Sequence, residues 1–251
     1  MKIVTYNCFG IPVLTPHLDS RLKSLAGELE TLQPDIVFLQ ELFFFRHKKI
    51  LSDGLKSFPH HYLPSNGFLK MGGGLCCFSK SPLERPAFKK FSLSGRWSDH
   101  SFSDKLAEKG FMKIISEGRC FYNVHLTCDY DDDPRPGSTY YPLQKSQLDE
   151  LAASLNEIPP DMPTFIIGDF NIPSSAKLFT DFLSATNFTD LTASKDPSVI
   201  GLPGSIIGRR PRRQKIDYIL FRGSPVPTSA WKYIFRTPQW SDHLGILMHV
   251  D

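Results

Sequence analysis

Cysteine is sparse in this sequence and poorly placed for cross-linking. Cys8, Cys76, Cys77, Cys120 and Cys128 are odd in number, include an adjacent pair and sit mostly in apolar runs. That excludes a disulfide framework, and no CxxC spacing offers a zinc ribbon, so buried free thiols are expected. No HExxH occurs either. No apolar run reaches the ~18 residues of a membrane-spanning helix. The opening MKIVTYN lacks the charged and apolar regions of a secretory leader and reads as a first strand, which predicts a cytoplasmic protein, peripheral to a membrane at most. There is no internal repeat, low-complexity tract or long linker. The charge excess is only +3, too small by itself to imply a polyanionic partner.

What the sequence does have is apolar residues, 41% of the total, in alternating strand and helix patterns. Lys2–Tyr6 reads as a strand. Leu18, Leu22, Leu25, Leu29 and Leu32 then recur at four, three, four and three, one face of an amphipathic helix that Pro34 ends. DIVFLQ (35–40) reads as a buried strand, and a helix is predicted over about 46–58. Strands are expected at 74–80, 111–116 and 120–127. A helix is expected at 144–155, with Leu148, Leu151 and Leu155 on one side. FIIGDF (165–170), IDYILF (216–221), a strand near 231–235 and GILMHV (245–250) follow. In FIIGDF, Gly168 is read as the break that ends the strand. One α/β domain over 1–251 with roughly eight or more strands is the simplest account.

Polar residues recur where these strands end. IVTYN closes on Asn7 and DIVFLQE on Glu41; NVHLT carries His125; FIIGDFN carries Asp169 and Asn171; KIDYIL carries Asp217; and SDH, ahead of the last strand, holds Asp242 and His243. Taken singly each has a bland reading: GDFN as a turn, SDH as a cap, His125 as a satisfied core histidine. Six such motifs in order at strand ends are improbable as accidents, and they gather on one rim of a sheet, where loops leave a cleft. The set is rich in carboxylates and amides, has two histidines and no thiolate. It suits a hard cation such as Mg²⁺, with Mn²⁺ the alternative, which takes one or two carboxylates and keeps several waters. Phosphate-ester hydrolysis needs such a metal, a base to activate water and donors for developing negative charge. No serine or cysteine at the rim has an activating partner, so direct attack by water is expected.

The ordered set TYN, LQE, NVHLT, GDFN, IDY and SDH resembles the endonuclease/exonuclease/phosphatase superfamily, whose members include DNase I-like nucleases and neutral sphingomyelinases. The resemblance implies a four-layer α/β sandwich, two packed mixed β-sheets flanked by helices. It also implies roles. Glu41 would bind the divalent metal, with Asn7 at the metal or phosphate and Asp242 close by. Asp169 would orient or deprotonate the attacking water. Asn171 and His125 would hydrogen-bond phosphoryl oxygens, and His243, oriented by Asp217, would face the phosphate. Within the superfamily, NCFGIPVL and GGGLCCFSKSPL (72–83) are similar to segments of neutral sphingomyelinases. Asp104 and Lys109 match the spacing of an Asp and a Lys in a regulatory loop of those enzymes, which implies a phosphate-side role for Lys109. DKLAEKG, however, departs from the aromatic and Gly-rich mammalian loop.

Three stretches outside these motifs bear on the substrate. LFFFRHKK (42–49) offers phenylalanines to dip into a lipid surface and bases for head groups, or a helix start packed on the core. GRRPRRQK (208–215) offers Arg212, Arg213 and neighbouring cations to a phosphate, as expected of a nucleic-acid or anionic-lipid contact. DYDDD (129–133) would repel a polyanion. The leading expectation is a Mg²⁺-dependent phosphodiesterase, monomeric and sphingomyelinase-like, acting on a phospholipid. The alternatives are a nuclease of the same fold and a lipid-binding module without catalysis.

Overall fold

A computed structural model describes residues 1–11, 15, 17–64, 71–202 and 214–251. Two six-stranded sheets form the centre. The first contains β1 (Lys2–Asn7), β2 (Ile36–Gln40), β3 (His60–Tyr62), β4 (Cys76–Ser79), β11 (Ser229–Ile234) and β12 (Gly245–Val250), in the order β11-β12-β1-β2-β4-β3. The second contains β5 (Glu84–Lys90), β6 (Gly110–Ser116), β7 (Arg119–His125), β8 (Thr164–Asp169), β9 (Thr189–Asp190) and β10 (Asp217–Arg222), in the order β5-β6-β7-β8-β10-β9. Both sheets are mixed. β1 and β2 run parallel at the centre of one, β7 and β8 at the centre of the other, and the remaining pairs are antiparallel. Helices α1 (Leu18–Leu32) and α2 (Phe45–Gly54) cover the first sheet; α4 (Tyr141–Leu155) and α5 (Lys177–Thr186) cover the second. The short α3 (Phe102–Ala107) lies at the rim.

The central strands read as unbroken apolar runs because both of their faces are buried. Ile36 and Phe38 of β2 enter the core between the sheets, while Val37 and Leu39 face the layer under α1 and α2. Phe165 and Ile167 of β8 likewise meet the other sheet, with Phe165 stacked on Phe121 at 5.3 Å, and Ile166 turns to α4 and α5. Period-two alternation thus sends one residue to each of two cores. Helix α1 buries Leu18, Leu22, Leu25 and Leu29, the face its spacing predicts, and α4 buries Leu148, Leu151 and Leu155. Four cysteines are buried, Cys128 is half-buried, and none of the five forms a disulfide.

The structure corrects several boundaries. Helix α2 stops at Gly54, not near 58, because Leu55 leaves the helical backbone region at φ −91 and ψ 74; Gly54 itself lies close against α1. A Cβ there would stand 2.7 Å from that of Ala26, and Leu55 and Phe58 then turn into the core. Gly168 does not end its strand. β8 runs through it to Asp169, paired with β7 and β10 on both sides. At φ +128, a side chain on Gly168 would meet the Val124 carbonyl oxygen at 2.3 Å. Gly168→Ala is therefore expected to lose about 3 kcal/mol of stability from strain and overpacking, read from paired denaturant midpoints. Five elements were not expected from the sequence: β3, β5, α3, α5 and β9.

Candidate functional site

The strand registers bring the rim residues together. The parallel β7–β8 pairing sets His125 beside Asp169, and the antiparallel β8–β10 pairing sets Asp217 opposite Asp169. On the other sheet, Asn7 ends β1 beside Gln40, one residue before Glu41. His243 stands just ahead of β12. Behind the rim a buried amide pair ties the sheets: Gln40 Nε2 donates to Asn123 Oδ1 at 2.7 Å, and Asn123 Nδ2 donates to the Leu39 and Cys76 carbonyls.

Asp169 is the hub. Its Oδ2 accepts from Asn7 Nδ2 at 3.0 Å and lies 3.6 Å from His125 Nε2 and 3.9 Å from His243 Nε2. Its Oδ1 accepts the Asn171 N–H at 2.8 Å. Asn7 Nδ2 also donates to Glu41 Oε1 at 3.1 Å, so one amide bridges two carboxylates. His243 Nδ1 lies 2.8 Å from Asp217 Oδ2, which directs its Nε2 toward Asp169. Lys109 contacts His125 Nε2 and pairs with Asp104 Oδ1 at 3.4 Å. Glu41 and Asn171 sit in the left-handed region, at φ +61 and +53, strain of the kind held at functional sites. Gly10 and Gly74 press on the Glu41 backbone; a Cβ on Gly10 would be 2.2 Å from its carbonyl oxygen.

Burial dominates the electrostatics. It pushes the carboxyls of Glu41 and Asp242 above the usual range; it pushes Asp169 up to about 7, with the Asp217 charge adding to the effect. Burial also opposes the charged form of His243, but the adjoining Asp217, with Asp242 and Asp169, holds that imidazole well above its ordinary value. His125 moves well below, from burial and then from the Lys109 and His243 charges. Glu41 Oε2 is buried without a hydrogen-bond partner. An orphaned carboxylate oxygen beside acids that burial drives toward protonation fits a divalent cation. Glu41, His125 and Asp169 present converging ligand atoms, as do Asp169, Asp217 and His243.

These residues stand at the floor of a cleft of about 600 Å³. Glu41, Lys109, Asp169, Asn171, Asp242 and His243 face it, whereas Asn7, His125 and Asp217 support it from behind. Of the residues expected at the substrate, Arg212 and Arg213 lie outside the described residues. Lys215, read with them as a surface cation, is buried, paired with Asp190 at 3.0 Å and placed over the Tyr218 ring. His47 and Lys48 of LFFFRHKK are also buried, the latter donating to the Pro64 carbonyl, so neither base reaches the surface. Sequence reading missed the apolar wall formed by Phe102, Leu106 and Met71. Its one signal was Phe102 and Leu106 spaced four apart on a short helix.

The sequence profile of the Endonuclease/Exonuclease/phosphatase family matches residues 4–243, and the chain belongs to that family. Sphingomyelinase C 2 of Leptospira interrogans is 25% identical over 227 residues, which cover 81% of this chain and 34% of that protein. Sphingomyelin phosphodiesterase 2 of Mus musculus is 24% identical over 241 residues, covering 88% and 56%. The chain thus spans between a third and somewhat over half the length of these relatives. A variant of beta toxin from Staphylococcus aureus, solved with bound magnesium ions, shares the fold at a TM-score of 0.79 and 17% identity, covering 100% of this chain and 99% of that one. Two mixed sheets flanked by helices are the expected four-layer sandwich. Among the described residues no helix is long and apolar enough to cross a membrane.

Proposed function

We propose that residues 1–251 act as one domain that hydrolyses a phospholipid phosphodiester by direct attack of water, releasing the phosphorylated head group as a sphingomyelinase does. The observation that carries this reading is the convergence of Glu41, Asp169 and His243 at the floor of a cleft with an apolar wall, with Asn7 bridging the two carboxylates from behind. Two relatives named as acting on sphingomyelin support the substrate class. Glu41, with Asn7 and Asp242 nearby, would hold Mg²⁺ or Mn²⁺, which supplies Lewis-acid stabilisation of phosphoryl charge when bound. The chain's own residues do the rest. Asp169, with a proton affinity near neutrality, accepts a proton from the attacking water. His243, kept cationic by Asp217, donates from Nε2 to an oxygen of the phosphate. Asn171 gives an amide hydrogen to the Leu126 carbonyl and has a second for a phosphoryl oxygen. His125, fully buried against Lys109, orients Glu41 and Asp169 and does not touch substrate.

The test is phosphocholine release from sphingomyelin vesicles with Mg²⁺, alongside the Asp169→Ala variant and a duplex DNA substrate. Release that vanishes in the variant is expected. Hydrolysis of DNA in place of the lipid would turn the assignment to the nuclease reading.

A further inference from the structure

Among the described residues seven large apolar side chains are exposed, and their distribution is uneven. Phe44 and Phe45 open α2, Leu93, Trp97, Phe102 and Leu106 belong to the segment leading into and through α3, and only Val226 lies elsewhere. Phe44 lines the cleft from one segment, Phe102 and Leu106 from the other. Apolar side chains from two separate segments thus line the cleft and continue out to the surface. Phe45 and Trp97, outside the cleft lining, are the most exposed of all, at 73% and 68%. Trp97 is joined to α3 by the Lys105 ammonium, 5.6 Å from its ring centroid, and by the Arg96 N–H donating to Ser101 Oγ at 2.9 Å. Exposed apolar patches of this kind mark an interaction surface.

The charges around the patch indicate what it meets. Arg46 is paired with Asp19, Lys49 with Asp53 at 2.9 Å, and Arg96 with Asp99 at 3.4 Å. Beside α3, on the loop whose Tyr130 hydroxyl meets Asp104 and Ser103, the cleft lining includes Asp129 and Asp132. Among the described residues these three cations are matched in place by carboxylates, Lys105 lies over the Trp97 ring, and acidic side chains stand beside them, so little net positive charge faces outward to attract an anionic surface. Continuity with the cleft restricts the occupant further, since whatever covers the patch must also deliver a substrate into the cleft.

Resting on the phospholipid-hydrolase reading above, we propose that the two aromatic segments, 44–45 and 93–106, form one docking surface for the face of a zwitterionic lipid bilayer. They hold to it by insertion of apolar side chains and not by charge, so that the cleft opens directly onto the head groups. Phe44 and Phe45 thus keep the lipid-facing role expected of LFFFRHKK, while the fold buries two of the bases expected to meet head groups.

Flotation of the full chain with phosphatidylcholine–sphingomyelin vesicles in chelator tests this without turnover. Binding should be the same at low and high salt and should not need anionic lipid. The Phe45→Ala/Trp97→Ala double variant should lose ~tenfold or more in vesicle partition, as expected for two aromatic side chains no longer buried. It should keep the wild-type melting temperature and, with Mg²⁺, wild-type turnover of a soluble chromogenic phosphodiester. Wild-type binding that disappears at high salt, or appears only with anionic lipid, would overturn the proposal, as would a double variant that floats like the wild type. Salt-resistant binding that the double variant loses, in a protein inert toward every phosphodiester, would uphold the surface while removing the hydrolase reading.

Discussion

Asp169→Asn is expected to cut phosphodiester turnover by ~10²–10⁴, the usual worth of a positioned acid–base group, while leaving the fold intact. The substitution keeps the side chain's shape among Asn7, His125 and His243 and removes its charge and basicity, together with one of the two acceptors that now serve Asn7 Nδ2 and the Asn171 N–H. The same change has a stability signature of definite sign. Burial and the neighbouring Asp217 raise the Asp169 carboxyl to about 7, so the folded chain binds that proton more tightly than the unfolded one. Its contribution is fully present below the ordinary carboxylate range and is lost as pH rises through about 7. Glu41 and Asp242, raised by burial, act in the same direction. So does His243, raised by Asp217 against its burial. His125, lowered by burial and by Lys109, acts oppositely, losing stability as pH falls below the ordinary imidazole range. Asp169, raised to about 7, and His243, raised above the ordinary imidazole range, outweigh the lowered His125 and His47. The protein in chelator is therefore expected to melt at falling temperatures as pH rises through neutrality. Asp169→Asn should flatten that fall. Melting curves across pH in chelator check it, and a wild type whose melting temperature climbs through neutrality would contradict the account.

The residues that define the site were legible because both sheets bury both faces of their central strands. A buried strand has no reason to carry Asn7, Asp169 or Asp217 except at its end, so polarity there stands out against an apolar run. Their common location was expected on the rim of one sheet, whereas the two packed sheets share it. β1 and β2 bring Asn7 and Glu41 from one, and β7, β8 and β10 bring His125, Asp169 and Asp217 from the other. The elements that were missed have the opposite character. β5 (ERPAFKK) is an exposed edge strand whose charges and Pro86 protect it from pairing, and those are the features that hide a strand from pattern reading. Gly168 looked like a terminator because its requirement is tertiary: the Val124 carbonyl lies where a side chain would be. In α5, Leu178, Phe179 and Phe182 make a legible apolar face that went unread. Burial of charge was least legible. Lys48 and Lys215 read as surface cations and Lys109 as a phosphate-side group, yet each is enclosed: Lys48 by the Pro64 carbonyl and Lys215 by Asp190, both distant in sequence, and Lys109 by Asp104, five residues before it.

Glu41→Gln separates the metal from the rest of the machinery. Glu41 Oε1 is held by Asn7, its Oε2 is buried without a partner, and its backbone is kept at φ +61 between Gly10 and Gly74. Such a rigid carboxylate loses little on binding a cation and gains a partner for the orphaned oxygen. A ligand that binds only the folded state stabilises it by about 2.7 kcal/mol at a hundredfold excess over its dissociation constant. Wild-type protein should therefore show a clear rise in melting temperature on titration with Mg²⁺, and the same titration with Mn²⁺ ranks the two ions. Glu41→Gln keeps the side chain's shape but replaces an acceptor-only carboxylate with a neutral amide, so most of that rise should vanish, together with at least ~10²-fold in turnover at saturating Mg²⁺. In chelator the order should reverse. The variant should melt no lower than wild type, because the removed charge was buried and pushed toward protonation by that burial. A Mg²⁺-induced rise that survives in Glu41→Gln would move the ion to the second convergent group, Asp169, Asp217 and His243. Asp217→Asn would then be the variant that abolishes the response.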